Sequence, residues 1–139
     1  MATDRLGPRE VRRPRKVLFD SSFLIAVMEH PTPWQKDALE KAGMFEGVMI
    51  RPVHEELKRL AEKGGRQAGY AKLALGLVES GALRLEPSAG RRADEELVSH
   101  ALDEGAIVAT IDGALMRQLD AVHVPVLTLR GGRVELRLL

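Results

Sequence analysis

Residues 106–115 read AIVATIDGAL, and this stretch decides the fold. A short β-branched run ends in Thr110, an acid follows at Asp112, and Leu115, Met116 and Leu119 then recur at helical spacing. Bounded by Gly105 and Gly113, the run reads as a buried parallel strand passing directly into a helix. Asp112 therefore stands at the carboxyl end of a strand, the edge at which open α/β sheets place their ligands.

The same strand, acid and helix recur near the start of the chain. Val17–Phe19 is a short apolar strand, and Asp20-Ser21-Ser22 turns it into a helix carrying Phe23, Leu24 and Val27. Pro31 stops that helix, and Thr32-Pro33 reads as an N-cap followed by a first-turn proline, opening a helix that runs to about Ala42. Val48–Ile50 is the next strand, and Pro52 opens a helix with Val53, Leu57 and Leu60 that Gly64-Gly65 breaks. From Arg66 to Ser80 a helix carries two apolar stripes, Tyr70, Leu73, Ala74 and Leu77 beside Ala71, Leu75 and Val78. Two stripes predict two partners, the sheet and either a neighbouring helix or a second copy of the chain. Leu83–Leu85 is a strand, 87–92 a basic loop, and Ala93–Glu104 a helix with Leu97, Val98, Ala101 and Leu102 inward. Val124–Leu129 and Val134–Leu138 close the chain as a hairpin around Gly131-Gly132. Strands alternating with helices imply a three-layer α/β/α fold with a central, mostly parallel sheet.

A chain of 139 residues with 45% hydrophobic content forms one domain around one core. Lys+Arg 21 against Asp+Glu 20 leaves a net charge of +1, so contact with nucleic acid has to come from local patches. The absence of cysteine excludes disulfides, thiolate chemistry and Cys-type zinc sites. No apolar run approaches the roughly 18 residues of a membrane span, and no apolar leader is present, which predicts a soluble, cytoplasmic protein. Residues 1–16 carry Arg5, Arg9, Arg12, Arg13, Arg15 and Lys16 against Asp4 and Glu10 and read as a basic flexible arm before a domain at 17–139.

On a helix, positions i, i+3, i+4 and i+7 share a face. Asp20 leads Phe23, Leu24 and Val27; Asp94 leads Leu97, Val98 and Ala101; Asp112 leads Leu115, Met116 and Leu119. Each acid is expected at the head of a buried stripe. Glu56 flanks the apolar face of its helix, whereas Glu55 is expected on nearly the opposite side, and Glu95 and Glu96 are expected in solvent. One acid at such a position is explained as an N-cap. The repetition along a shared strand edge instead predicts that Asp20, Glu56, Asp94 and Asp112 converge, and gathered carboxylates call for a hard divalent cation, Mg²⁺ or Mn²⁺. A carboxylate-held ion that keeps its waters suits phosphodiester hydrolysis. Ser21, Ser22 and Thr110 read as hydroxyls that orient the carboxylates. The four histidines, His30, His54, His100 and His123, show no metal-ligand spacing, and there is no P-loop, GxGxxG or serine elbow.

Taken in order, VLFDSSFL (17–24), PVHEELKRL (52–60), ADEELVSHALDEGAIVATIDGAL (93–115) and PVLTLRGGR (125–133) resemble the successive motifs of the PIN-domain ribonucleases. The resemblance covers nearly all of the chain from Val17 onward. It implies a parallel α/β fold that commonly forms a homodimer, Mg²⁺ or Mn²⁺ held by the catalytic set Asp20, Glu56, Asp94 and Asp112, and endonucleolytic cleavage of RNA. The family includes toxins of toxin–antitoxin pairs and rRNA-processing nucleases, which implies an antitoxin or a ribosome-assembly partner. This chain departs from the family pattern at Ser21-Ser22, where Thr-Asn is common, and at Ile111, where Asn is common. The first reading is thus a metal-dependent endoribonuclease whose RNA phosphates meet Arg12, Arg13, Arg15, Lys16, Arg66, Arg91, Arg92 and Arg117. The alternative is a catalytically weak PIN-fold RNA-binding or ribosome-assembly module. A phosphoacceptor receiver domain, also built on strand-end acids, would want a lysine where Arg130 stands.

Overall fold

In the computed structural model, which describes residues 14–138, the strand and helix units join through one six-stranded sheet. Its strands are β1 (Arg15–Phe19), β2 (Phe45–Ile50), β3 (Arg84–Glu86), β4 (Ile107–Ala109), β5 (Val126–Arg130) and β6 (Arg133–Arg137). Their spatial order is β3-β2-β1-β4-β5-β6. The first five run parallel, and β6 returns antiparallel to β5 through Gly131 and Gly132, both at positive φ as a tight hairpin turn requires.

The helices are α1 (Ser21–Glu29), α2 (Trp34–Ala42), α3 (Arg51–Lys63), α4 (Ala68–Glu79), α5 (Ala93–Glu104) and α6 (Gly113–Ala121). The chain winds outward from β1 to β3, then crosses back to β4 and β5, so the winding reverses between β1 and β4. Right-handed crossovers then put α1 to α4 on one face and α5 and α6 on the other. The packing agrees: α1, α3 and α4 meet one another, and α5 meets α6. This is the three-layer α/β/α arrangement that the sequence predicts.

The core is densest around β1, where Val17, Leu18 and Phe19 are fully buried. The Phe19 ring meets Phe23 and Trp34 edge-on, with centroids 5.6 Å and 5.3 Å away. Gly47 in β2 lets Leu83 come close, since a Cβ there would lie 2.6 Å from the Leu83 Cδ2. At the far edge Asp37 of α2 clamps β6, accepting from Arg133 Nε (2.8 Å), Arg133 Nη2 (2.7 Å) and the Val134 N–H (3.2 Å).

Three expectations change. Arg15 and Lys16, assigned to the arm from their charge, are the first two residues of β1 and pair with Phe45 and Glu46. Strand pairing at a sheet's amino edge tolerates charged side chains that reach solvent, as Arg15 does, or acidic partners, as Lys16 does, so charge alone misplaces the boundary. The α2 helix starts at Trp34 with Pro33 in the cap position, and the Thr32 hydroxyl is buried without a partner instead of capping. α4 packs against α3 and α1, and its buried face is not the stripe expected to include Leu73. Its buried face is Ala68, Ala71 and Ala74, small side chains that admit close helix approach, while Leu73 is 58% exposed.

Candidate active site

The site is built where the winding reverses. β1 and β4 are neighbours there, with Phe19 opposite Ala109, so Asp20 and the segment 110–112 leave the sheet side by side at its carboxyl edge. The Asp20 N–H donates to the Ala109 carbonyl at 2.9 Å. Its carboxylate, only 6% exposed, accepts at Oδ2 from Ser22 Oγ (2.7 Å) and Thr110 Oγ1 (2.8 Å). The Thr110 hydroxyl in turn accepts from the Asp112 N–H at 3.0 Å, and Ser22 Oγ accepts from the Ile111 N–H at 3.1 Å. Two hydroxyls thus bind the turns after β1 and β4 into one unit around Asp20. Asp112 is exposed, contrary to the expectation of burial, and its Oδ1 caps α6 by accepting from the Leu115 N–H at 3.0 Å. An N-cap precedes the packed turns of its helix, so the helical stripe it heads does not carry it inside.

Glu56 and Asp94 come from opposite layers. α3 and α5 approach one another and leave a cavity of about 430 Å³ whose lining includes Glu56, Asp94, Glu55, Arg51, Arg59 and Arg92. Glu56 Oε1 accepts from Ser21 Oγ at 2.6 Å, which ties α3 to the residue after Asp20. Among the described residues, no three of the four predicted acids bring carboxylate oxygens within 4.8 Å of one another. The tight cluster expected from their spacing is instead an acidic edge in two parts: Asp20 with Asp112 through Thr110, and Glu56 with Asp94 along the cavity. Separate hydroxyl and backbone donors hold the like charges apart, which lowers their repulsion.

Two acids sit elsewhere than expected. Glu55 is half-buried and lines the cavity beside Glu56, because the first turns of α3 face the α5 layer on both sides of the apolar stripe. Glu96, expected in solvent, is 1% exposed. It accepts from Arg91 Nε, and the His100 Nδ1 lies 3.8 Å away. A partner five residues back in the preceding loop makes that burial tolerable, and helical periodicity does not report it.

Among the described residues the buried acids are Asp37, Glu86, Glu96 and Asp20. Three of them have cationic partners: Arg133 for Asp37, Lys16 and Arg84 for Glu86, and Arg91 for Glu96. Burial raises the Glu86 carboxyl, but Lys16 and Arg84 outweigh it and hold the group below its ordinary range. For Asp20 the balance runs the other way. Burial pushes its carboxyl up, against the hydrogen bonds of Ser22 and Thr110, and the charge of Glu56 adds to the rise. Among the described residues no Lys or Arg pairs with Asp20, Glu56, Asp94 or Asp112.

A second group, missed in the sequence, is Glu86, His100 and Glu104, whose ligand atoms do lie within 4.8 Å of one another. The i, i+4 spacing of His100 and Glu104 on α5 is the signal that marks it, so the statement that the histidines lack ligand spacing fails for His100. Here the chain supplies its own cation, for the Lys16 ammonium lies 2.9 Å from Glu86 and 2.5 Å from Glu104.

The basic residues expected to meet phosphate also divide. Arg12 and Arg13 lie outside the described residues. Arg15, whose Nε donates to the Gly105 carbonyl at 3.1 Å, and Lys16 start β1 at the end opposite Asp20, about 16 Å away at strand rise. Arg91 is engaged by Glu96 and by Ser99 Oγ (3.2 Å), and Arg66 is exposed 3.7 Å from Glu29. Arg92 is exposed at the cavity, and Arg117 folds back toward Gly113 beside Asp112. Arg51 and Arg59 also line the cavity, and with Glu55 they form an i, i+4, i+8 line on α3 that periodicity in the sequence marks.

The sequence profile of the PIN like domain family matches residues 17–132, which runs from within β1 through β5 and the turn before β6. Among curated proteins none matches the sequence. The fold is similar to that of the PIN domain endonuclease Utp24, with a TM-score of 0.76 at 18% identity, covering 91% of this chain and 93% of the other. It is also similar to a domain of a functionally unknown protein from Methanocaldococcus jannaschii (TM-score 0.58, 17% identity, 90% and 98% covered). VapBC-1 from nontypeable Haemophilus influenzae shares it less fully (TM-score 0.54, 15% identity, 76% and 93% covered). With its sheet order, its acids at the carboxyl edge and a profile match over most of its length, the chain belongs to the PIN-like domain family.

Proposed function

We propose that the protein is a metal-dependent endoribonuclease in which Asp20, Glu56, Asp94 and Asp112 hold Mg²⁺ or Mn²⁺. The observation that carries this reading is the isolation of Asp20. Among the described residues every other buried acid is neutralised by Lys or Arg, and this one, at the sheet's winding reversal, is not. The donor set is all oxygen and anionic, which fits a hard divalent ion and not a soft one. When bound, such an ion activates a water and neutralises the phosphate oxygens. The chain's own part is positioning. Thr110 and Ser22 fix the Asp20 carboxylate, Ser21 fixes Glu56, and the α6 N-terminus fixes Asp112. The shared fold of the PIN domain endonuclease Utp24 agrees with hydrolysis of an internal phosphodiester bond, and the motif resemblance suggests rRNA processing or a toxin role as its setting.

One feature favours the alternative, a catalytically weak RNA-binding or ribosome-assembly module. Ile111 contributes its backbone N–H to Ser22 and has no polar side chain to place beside the acids. Incubation of the purified protein with structured RNA, with and without Mn²⁺ and with Asp112→Asn as control, separates the two. Mn²⁺-stimulated cutting that the variant lacks supports the nuclease; RNA binding without cutting supports the module.

A further inference from the structure

The cavity between α3 and the 87–92 loop holds more than the acids Glu56 and Asp94. Arg51, Arg59 and Arg92 stand on its wall, all three exposed, and among the described residues none of them forms an ion pair. Arg91, the fourth arginine of that wall, is the exception. Its bonds to the buried Glu96 and to Ser99 anchor the loop from below and leave Arg92 at the cavity mouth. The volume of about 430 Å³ lies in the range of small-ligand sites, which run from roughly 300 to 1,000 Å³.

We infer that this cavity is a subsite for the nucleotide next to the scissile phosphate, with Arg51, Arg59 and Arg92 binding that nucleotide's phosphate. Three guanidiniums without an ion pair among the described residues make little sense as fold stabilisers, because Arg51 and Arg59 are long enough to pair with Glu55 one turn away and do not. They make sense as donors to an anion, since the planar guanidinium fork matches phosphate oxygens. The placement sets a path: a strand whose scissile phosphate lies at Asp20 and Asp112 reaches the cavity past Glu56 and Asp94. The inference rests on the nuclease reading for the identity of that neighbouring phosphate.

The test uses the full chain in EDTA, a labelled single-stranded oligoribonucleotide and fluorescence anisotropy across a KCl series. Removing two phosphate contacts by Arg51→Gln with Arg59→Gln is expected to flatten the salt slope by about 1.4, that is, about sevenfold less affinity lost between 50 and 200 mM salt. Arg51→Lys with Arg59→Lys is expected to keep the slope, as a structural role for the guanidinium stems would not require. An unchanged slope in the Gln variant overturns the subsite. Thermal melting with Mn²⁺ keeps the two readings apart. If Mn²⁺ stabilises neither protein and the slope still flattens, the subsite stands and the metal site falls; if Mn²⁺ stabilises both and the slope is unchanged, the subsite falls alone.

Discussion

Thr110 shows how much one side chain decides at the residue scale. Its buried hydroxyl donates to Asp20 and accepts from the Asp112 N–H, so it joins the two acids that the winding reversal brings together. Thr110→Val keeps the shape but leaves the buried Asp20 carboxylate with Ser22 as its one hydroxyl donor and takes the acceptor from the Asp112 N–H, which is expected to cost about 1–3 kcal/mol in urea unfolding, whereas Thr110→Ser should cost much less. For catalysis, Asp20→Asn, Asp94→Asn and Asp112→Asn are each expected to abolish Mn²⁺-dependent RNA cutting, since each removes charge from the proposed ion site. Glu55 and Glu56 share the cavity, but only Glu56 is fixed by Ser21. Glu56→Gln should therefore lower kcat far more than Glu55→Gln, and equal losses in a cleavage assay would refute that division of roles.

Elements meet here through a few close or charged contacts. Gly47 lies where β2 passes under the fully buried Leu83, so Gly47→Ala forces a core side chain to move and is expected to cost about 1–3 kcal/mol, read as a lower melting temperature. α2 and β6 are joined by Asp37 and Arg133, whose hydrogen bonds hold the Asp37 carboxyl at about 2 instead of 3.8. A carboxyl lowered on folding stabilises the fold while it is ionised. Its contribution is fully present above about pH 4 and is lost as pH falls from 4 toward 2. The parent should lose stability over that window more steeply than Asp37→Asn in denaturant titrations at each pH; parallel profiles would show the clamp to be inert.

For the whole molecule, two measurements follow. Mn²⁺ at a hundredfold excess over Kd should add about 2.7 kcal/mol to the folded state and raise the melting temperature on the order of 10 °C. Asp94→Asn should erase that response, whereas Glu95→Gln, on the exposed side of α5, should keep it. Removing residues 1–16 should lower the melting temperature relative to removing 1–13, because the longer cut takes Arg15 and Lys16 out of β1 along with the ion pairs to Glu86 and Glu104. The strand and helix order, the α/β/α class and the edge on which Asp20, Glu56, Asp94 and Asp112 fall were legible in the sequence, α5 to the residue. Apolar periodicity, helix stops and glycine turns act over a few residues and are written in adjacent letters. Only the tertiary structure decided that Asp112 is exposed while Asp20 keeps its expected burial, that Glu55 joins Glu56, that α4 meets α3 and α1, and that Lys16 belongs to Glu86 and Glu104. Those outcomes depend on partners 70, 88 and 90 residues apart, and which distant side chains meet is set by the order of strands in the sheet, not by any pattern along the chain.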